Sequence, residues 1–179
     1  ILIKQQLDVY AGEIIDYFCS NGIKTRNEDY YQDILTEEIS LFIINMLYRC
    51  LDTINSEFKK QTFEFMSTMY SASDSEKLLS LERELHKLTK RARSKYDFNN
   101  LTSDTYKELF IEIYNLIDSK KLKAQFSKYK QKKFFENLIK KLYKELWTLY
   151  QSTFNLKSAL DTLVGIDTIP VMTIHKSKG

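Results

Sequence analysis

Pro170-Val171-Met172-Thr173-Ile174-His175-Lys176-Ser177-Lys178-Gly179 is the stretch whose reading decides the fold. Four apolar or β-branched residues, Val171 to Ile174, run straight into a short basic segment that ends on glycine. The first part has the composition of a buried strand. The second has that of a loop facing an anion. Lysines neutralise phosphate oxygens, Ser177 can donate to them, and Gly179 lets the backbone come close. Lysine-serine turns of this kind also occur on plain surfaces, so the loop alone leaves both uses open. Pro170 cannot donate a ladder hydrogen bond, which predicts a place at the first residue of its strand or on a sheet edge.

A strand needs partners, and the candidates lie at the opposite end of the chain. Ile1-Leu2-Ile3-Lys4-Gln5 reads as a short, buried parallel strand. Asp8 is placed to cap a helix running to about Asn21. Tyr10, Ile14, Ile15, Phe18 and Cys19 share one face of it. Gly22 ends that helix in the left-handed conformation, and Ile23 to Arg26 form a second strand. Together these predict a β-α-β unit whose two strands are parallel neighbours joined by a right-handed crossover.

Everything between the two ends reads as helix. Thr36 caps a helix with Glu37 and Glu38 in its first turn, where the helix dipole favours acids. Its buried face is Ile39, Ile43, Met46, Leu47, Cys50 and Ile54. The next segment carries Phe58, Phe65, Met66 and Met69. After a loop over residues 71–75, Ser73 and Glu76 make a capping box. Leu78, Leu81, Leu85 and Leu88 then form a packing seam. A loop over residues 96–101 precedes a helix starting near Thr102 or Ser103, with Tyr106, Leu109, Phe110, Ile113, Tyr114 and Ile117 inward. A longer helix presents Phe135, Leu138, Leu142, Leu146 and Leu149. A last one, near residues 156–163, is closed by Gly165. The expected topology is a β-α-β start, a helical excursion of more than a hundred residues, and a strand that returns to the first two.

The string from Pro170 to Gly179 resembles motif V of the UvrD/Rep/PcrA-like superfamily of DNA helicases, which includes the helicase subunits of RecB- and AddA-type nuclease complexes. The apolar strand, the helix and the Asn21-Gly-Ile-Lys-Thr-Arg26 return resemble the segment upstream of that motif. The resemblance implies a mostly α chain with a small parallel sheet, part of a RecA-like α/β motor domain carrying a large inserted helical domain. Residues 1–54 and 168–179 would be the discontinuous motor part, and residues 55–167 the insertion. Thr173, His175 and Lys176 would lie along the single-stranded DNA path, and Lys178 and Gly179 on the side of the nucleotide cleft. ATP and Mg²⁺ would be cofactors of the parent protein. Its partners would be single-stranded and duplex DNA, the N-terminal motor domain of the same chain, and proteins that meet the insertion. In that superfamily a leucine, a glutamate and an aromatic residue usually follow, so a piece of a longer protein is expected.

Composition sets bounds. With 179 residues and a 43% hydrophobic fraction, the chain can bury a core. One Pro and four Gly favour long helices. Cys19 and Cys50 sit within helical patterns, which suits free thiols of a cytoplasmic protein better than a disulfide. No apolar run reaches the roughly 20 residues that span a bilayer, and no signal-peptide pattern is present. Two distant cysteines and two distant histidines do not make a metal site. A phosphate loop of the form G-x-x-x-x-G-K-[ST], an acidic Mg²⁺-binding strand and an arginine-bearing motif VI are missing. The chain by itself is therefore expected to be catalytically inactive.

The net charge of +3 decides little, but the distribution is uneven. Between Lys120 and Lys144 there are ten lysines and one acid, Glu136, interleaved with Tyr129, Phe134, Phe135 and Tyr143. Lys128, Lys130, Lys132, Lys133 and Lys140 are the candidates for a DNA-facing surface. A solvated helix face with its aromatic residues turned inward fits the same pattern. A second cluster, Lys87, Lys90, Arg91, Arg93 and Lys95, spreads around its helix. Apart from the motif V resemblance, a free-standing helical interaction or nucleic-acid-binding module without catalysis fits the chain as well.

Overall fold

The strand read from Val171 onward forms as β3 (Ile169–Thr173) in the computed structural model, which describes residues 1–3, 12–51 and 55–173. β3 pairs in parallel with β1 (Leu2–Ile3) on one side and β2 (Thr25–Asn27) on the other. The sheet order is β1-β3-β2. The register sets Leu2 opposite Met172, Ile3 opposite Thr173, and Asn27 opposite Val171. Opposite ends of the chain are therefore neighbours in one small parallel sheet.

Three expectations are corrected here. β1 and β2 are parallel but not adjacent, because β3 enters between them. The apolar strand takes the doubly paired centre, where Val171 is fully buried, while the polar Thr25-Arg26-Asn27 stays on an edge. β1 is also less buried than its sequence suggests: Ile1 is exposed and Leu2 is 58% exposed. Third, Pro170 is the second residue of a central strand. Successive N–H groups of a strand point to alternate sides. Ile169 N donates to Lys24 O at 2.9 Å on the β2 side, and Met172 N donates to Ile1 O at 3.0 Å on the β1 side. Pro170 shares the parity of Met172, and its carbonyl accepts from the Ile1 amine at 2.8 Å, so its missing N–H falls on the β1 side and costs the β2 ladder nothing.

After β1 comes α1 (Gly12–Ser20). It ends at Gly22, whose φ of 72° is the left-handed turn expected there. Asp8 and Tyr10 lie outside the described residues. β2 leads directly into α2 (Glu28–Leu35), a helix absent from the sequence reading. Thr36 closes this helix, its hydroxyl donating to Gln32 O at 2.9 Å, instead of capping the next one. The next helix, α3 (Glu38–Leu51), follows with Glu38 in its first turn.

The helical body continues with α4 (Ser56–Tyr70), α5 (Ser75–Lys95), α6 (Ser103–Tyr114), α7 (Ser119–Gln125), a 3₁₀ turn (Ser127–Lys130), α8 (Lys132–Thr153) and α9 (Leu156–Val164). The cap of α5 is Asp74, which accepts from Lys77 N, so the expected Ser73–Glu76 box is displaced by one residue. An ionised carboxylate accepts more strongly than a serine hydroxyl. Thr102 caps α6 as expected, in a capping box closed by Thr105.

Ile39, Ile43, Met46, Leu47 and Cys50 of α3 are all buried. They pack with residues of α4, α5 and α9 in one continuous core. Each such aliphatic side chain contributes roughly 1.5–3 kcal/mol by leaving water. The C-terminal end of α3 is held by arginines. Arg93 donates to Cys50 O at 2.9 Å and to Arg49 O at 2.5 Å. Arg49, only 2% exposed, spends its own guanidinium on Thr62 Oγ1 at 2.9 Å and Glu82 Oε1 at 2.7 Å. A buried charge with both terminal nitrogens directed at partners ties α3, α4 and α5 together. Among the described residues, no helix is long and apolar enough to cross a membrane.

Candidate nucleic-acid interface

Where parallel strands stop, their carboxyl ends lie on one side of the sheet, the usual place for ligands in open α/β sheets. β3 sits between its two neighbours and extends past the end of β2, since Asn27 pairs with Val171 and the strand runs on to Thr173. Thr173 is thus the last described residue at the carboxyl end of the central strand, opposite Ile3. His175, Lys176, Lys178 and Gly179, the other residues implied by the motif resemblance, lie outside the described residues.

Arg26 fixes how the helical body returns to this sheet. Its buried guanidinium pairs with the Glu28 carboxylate through Nε, at 2.9 Å, and through Nη2. Nη1 donates to Leu163 O at 2.5 Å, at the end of α9. Gly165 follows with φ 85°, and a Cβ there would stand 2.7 Å from Arg26 Nη1. Gly165 is needed both for its left-handed backbone and for the space the guanidinium occupies. Sequence reading found the glycine but not the arginine. The signal was Arg26-x-Glu28, an arginine two residues from a carboxylate at a strand end.

A second tie joins α2 to α8. The Tyr30 hydroxyl donates to Glu145 Oε1 at 2.5 Å, and Lys141 Nζ donates to Tyr30 O at 3.2 Å. The hydrogen bond to the Glu145 carboxylate, with some burial, pushes the Tyr30 hydroxyl up to about 12.

The lysine-rich stretch does not behave as one surface. Lys128 is bound to Glu37 at 2.9 Å and Glu38 at 2.5 Å, at the N-terminus of α3. The buried Tyr129 beside it shares its hydroxyl proton between the same carboxylates, 2.9 Å from each, and accepts from Ile39 N. Burial pulls Glu38 upward, but Lys128, the backbone and Tyr129 outweigh it and hold the carboxyl below its ordinary range. Lys141 sits over the Tyr30 ring, and Lys121 over Tyr70 at 4.0 Å. Lys130, Lys133 and Lys140 are exposed to solvent. Lys132 begins α8, and its side chain is outside the described set. On α8, Lys133, Lys140 and Lys144 are seven and four residues apart, so they align along one face. Tyr129 and Phe135 are buried, as the solvated-face reading requires, while Phe134 is exposed.

The second basic cluster is largely committed within the protein. Arg91 and Lys95 pair with Glu112 at 3.2 and 3.0 Å, and Arg93 holds the end of α3. His86 is exposed, with Lys87 beside it. Burial pushes the Cys50 thiol up to about 12, which makes it a packing residue.

The sequence has no phosphate loop, and the described residues include no cluster of three His, Cys, Asp or Glu side chains. No family model matches this chain, and neither a curated protein nor a solved structure matches it.

Proposed function

We propose that this chain is part of an ATP-dependent DNA helicase of the UvrD-like superfamily, comprising part of the second RecA-like motor domain and the helical domain inserted into it. The observation that carries the reading is the place of β3. The strand that leads into His175-Lys-Ser-Lys-Gly179 is central, is flanked by both N-terminal strands, and is reached after a helical detour. This is the arrangement needed for a loop that faces a ligand at the carboxyl end of a sheet. Exposed apolar residues add support. Ile1, Leu2, Ile14, Tyr17 and Ile23 surround this small sheet, as they would where further motor-domain elements cover it.

In this reading Thr173, His175 and Lys176 contact single-stranded DNA, while Lys178 and Gly179 face the nucleotide held mainly by the N-terminal motor domain. Lys130 and Lys133, both exposed, are the remaining candidates for duplex contact. Lys128 is the weakest of the original set, because its charge is already matched by Glu37 and Glu38.

The test uses the full-length parent. His175→Ala and Lys178→Ala should each lower DNA-stimulated ATPase by about tenfold or more, with unchanged thermal unfolding. Wild-type activity in both variants would remove the reading. The present chain alone should show no ATPase activity.

A further inference from the structure

A groove of about 500 Å³ runs along the outer surface between α6 and α8. Its floor is Phe110, Tyr114, Ile139 and Tyr143. Ile111, 43% exposed, forms part of one wall. The two helices are antiparallel here, since Tyr106 stacks on Trp147 at 4.9 Å and Tyr114 lies 6.3 Å from Phe135. From Lys107 to Tyr114 the groove spans about 10 Å, or two helical turns, at 1.5 Å per residue.

Its charge pattern is specific. Lys107 lines one wall and Lys140 the other. Neither has a carboxylate at ion-pair distance among the described residues, unlike Lys95, Lys128 and Lys157. The two ends are acidic: the charge of Asp104 reaches Tyr143, and that of Glu136 reaches Tyr114. An apolar channel with one lysine on each wall and acids near its ends does not suit a nucleic-acid strand, which carries one phosphate per nucleotide along its whole length. The rings are also poor stacking platforms. Tyr143 is engaged by Tyr106 at 4.9 Å and edge-on by Phe110 at 5.1 Å, and the isoleucines have no π face.

We infer that this groove receives one face of an acidic amphipathic helix from a partner protein. Its apolar residues at i, i+3 or i+4, and i+7 fill the channel, and its flanking carboxylates meet Lys107 and Lys140. The groove belongs to the helical body and stands whether or not the parent is a helicase.

The test pans a displayed library of helices, apolar on one stripe and randomised on both flanks, against the intact chain. Enriched sequences should carry Asp or Glu at the flanking positions. Binding should fall about tenfold or more in the double variant Lys107→Glu/Lys140→Glu. It should persist in Lys120→Glu/Lys130→Glu, which carries the same charge change away from the groove. Circular dichroism of both variants checks the fold, and the milder Lys107→Gln/Lys140→Gln pair serves if the reversal does not fold. A 20-residue oligo-dT strand should not compete. Enrichment without acids, loss of binding in both double variants alike, or competition by oligo-dT that depends on Lys107 and Lys140 would each overturn the inference, the last in favour of nucleic acid.

Discussion

The helical body and the sheet corner are built to different standards. In α3, Ile39, Ile43, Met46, Leu47 and Cys50 have no solvent exposure, and the two arginines at the end of the helix bond to Thr62, Glu82 and the last carbonyls. At the corner, Ile1, Leu2, Ile14, Tyr17 and Ile23 are all exposed. The body supplies its own core, while the corner relies on a two-residue strand and a three-residue strand paired to β3. The difference is one of closure: the apolar stripe of α3 is sealed, while large apolar residues next to the sheet stay open to solvent.

The sharpest way to break this comparison is a matched pair of truncations. Leu142→Ala, in the centre of α8, should destabilise the chain by about 2–5 kcal/mol in denaturant unfolding, whereas Ile14→Ala in α1 should cost no more than about 0.5 kcal/mol. Equal costs would mean that the corner has a core of its own. Next in size is the junction. Arg26→Ala should cost about 1.5–3 kcal/mol, because it strands Leu163 O and the Glu28 carboxylate. Gly165→Ala should cost about 1–2 kcal/mol for the left-handed backbone, plus the clash with Arg26. In the double variant the clash disappears, so the two costs should sum to more than the measured loss. Strict additivity would show that body and corner are not joined there.

A pH titration sharpens the contrast further, because the carboxylates held low lie in the body. Burial raises Glu112, but Lys95, Tyr96 and Arg91 outweigh it, and Glu38 is lowered through Lys128 and Tyr129. A carboxyl depressed in the folded state stabilises above its unfolded value and loses that contribution as pH falls through the folded one. Unfolding free energy should therefore decline as pH drops below about 4, and Glu112→Gln should flatten the decline. The smallest effect concerns a blemish in the body. Phe154 is 71% exposed and holds a left-handed φ of 49° at the end of α8. Phe154→Gly should stabilise the chain by about 0.5–1 kcal/mol in thermal unfolding.

What the sequence made legible follows the strength of the local signal. Helical stripes such as Leu138, Leu142 and Leu146, and glycines at left-handed turns such as Gly22 and Gly165, are repeated or stereochemically forced, and they stood out. Caps depend on one competing oxygen, so Asp74 displaced Ser73 and Thr36 turned to the helix behind it. α2 was missed because Glu28 to Leu35 is short and mostly polar, and its helix is secured by contacts distant in sequence, such as Tyr30 with Glu145. Strand order was misread for a similar reason. Nothing local to Ile23–Arg26 reveals that its neighbour comes from residues 169–171. Of the candidate site, the strand up to Thr173 was read correctly, while the pairing of Lys128 with Glu37 and Glu38 is a tertiary fact.

The ladder between β2 and β3 has one more consequence. Ile169 N meets Lys24 O at 2.9 Å and Asn27 faces Val171, so the chain leaves the sheet and re-enters it at adjacent positions. A loop closed at its own base adds little strain to its host whatever its length, since closure entropy grows only with the logarithm of loop size. The helices between them can thus be lengthened, trimmed or exchanged as a cassette, provided that Arg26 still finds a carbonyl at the point of return.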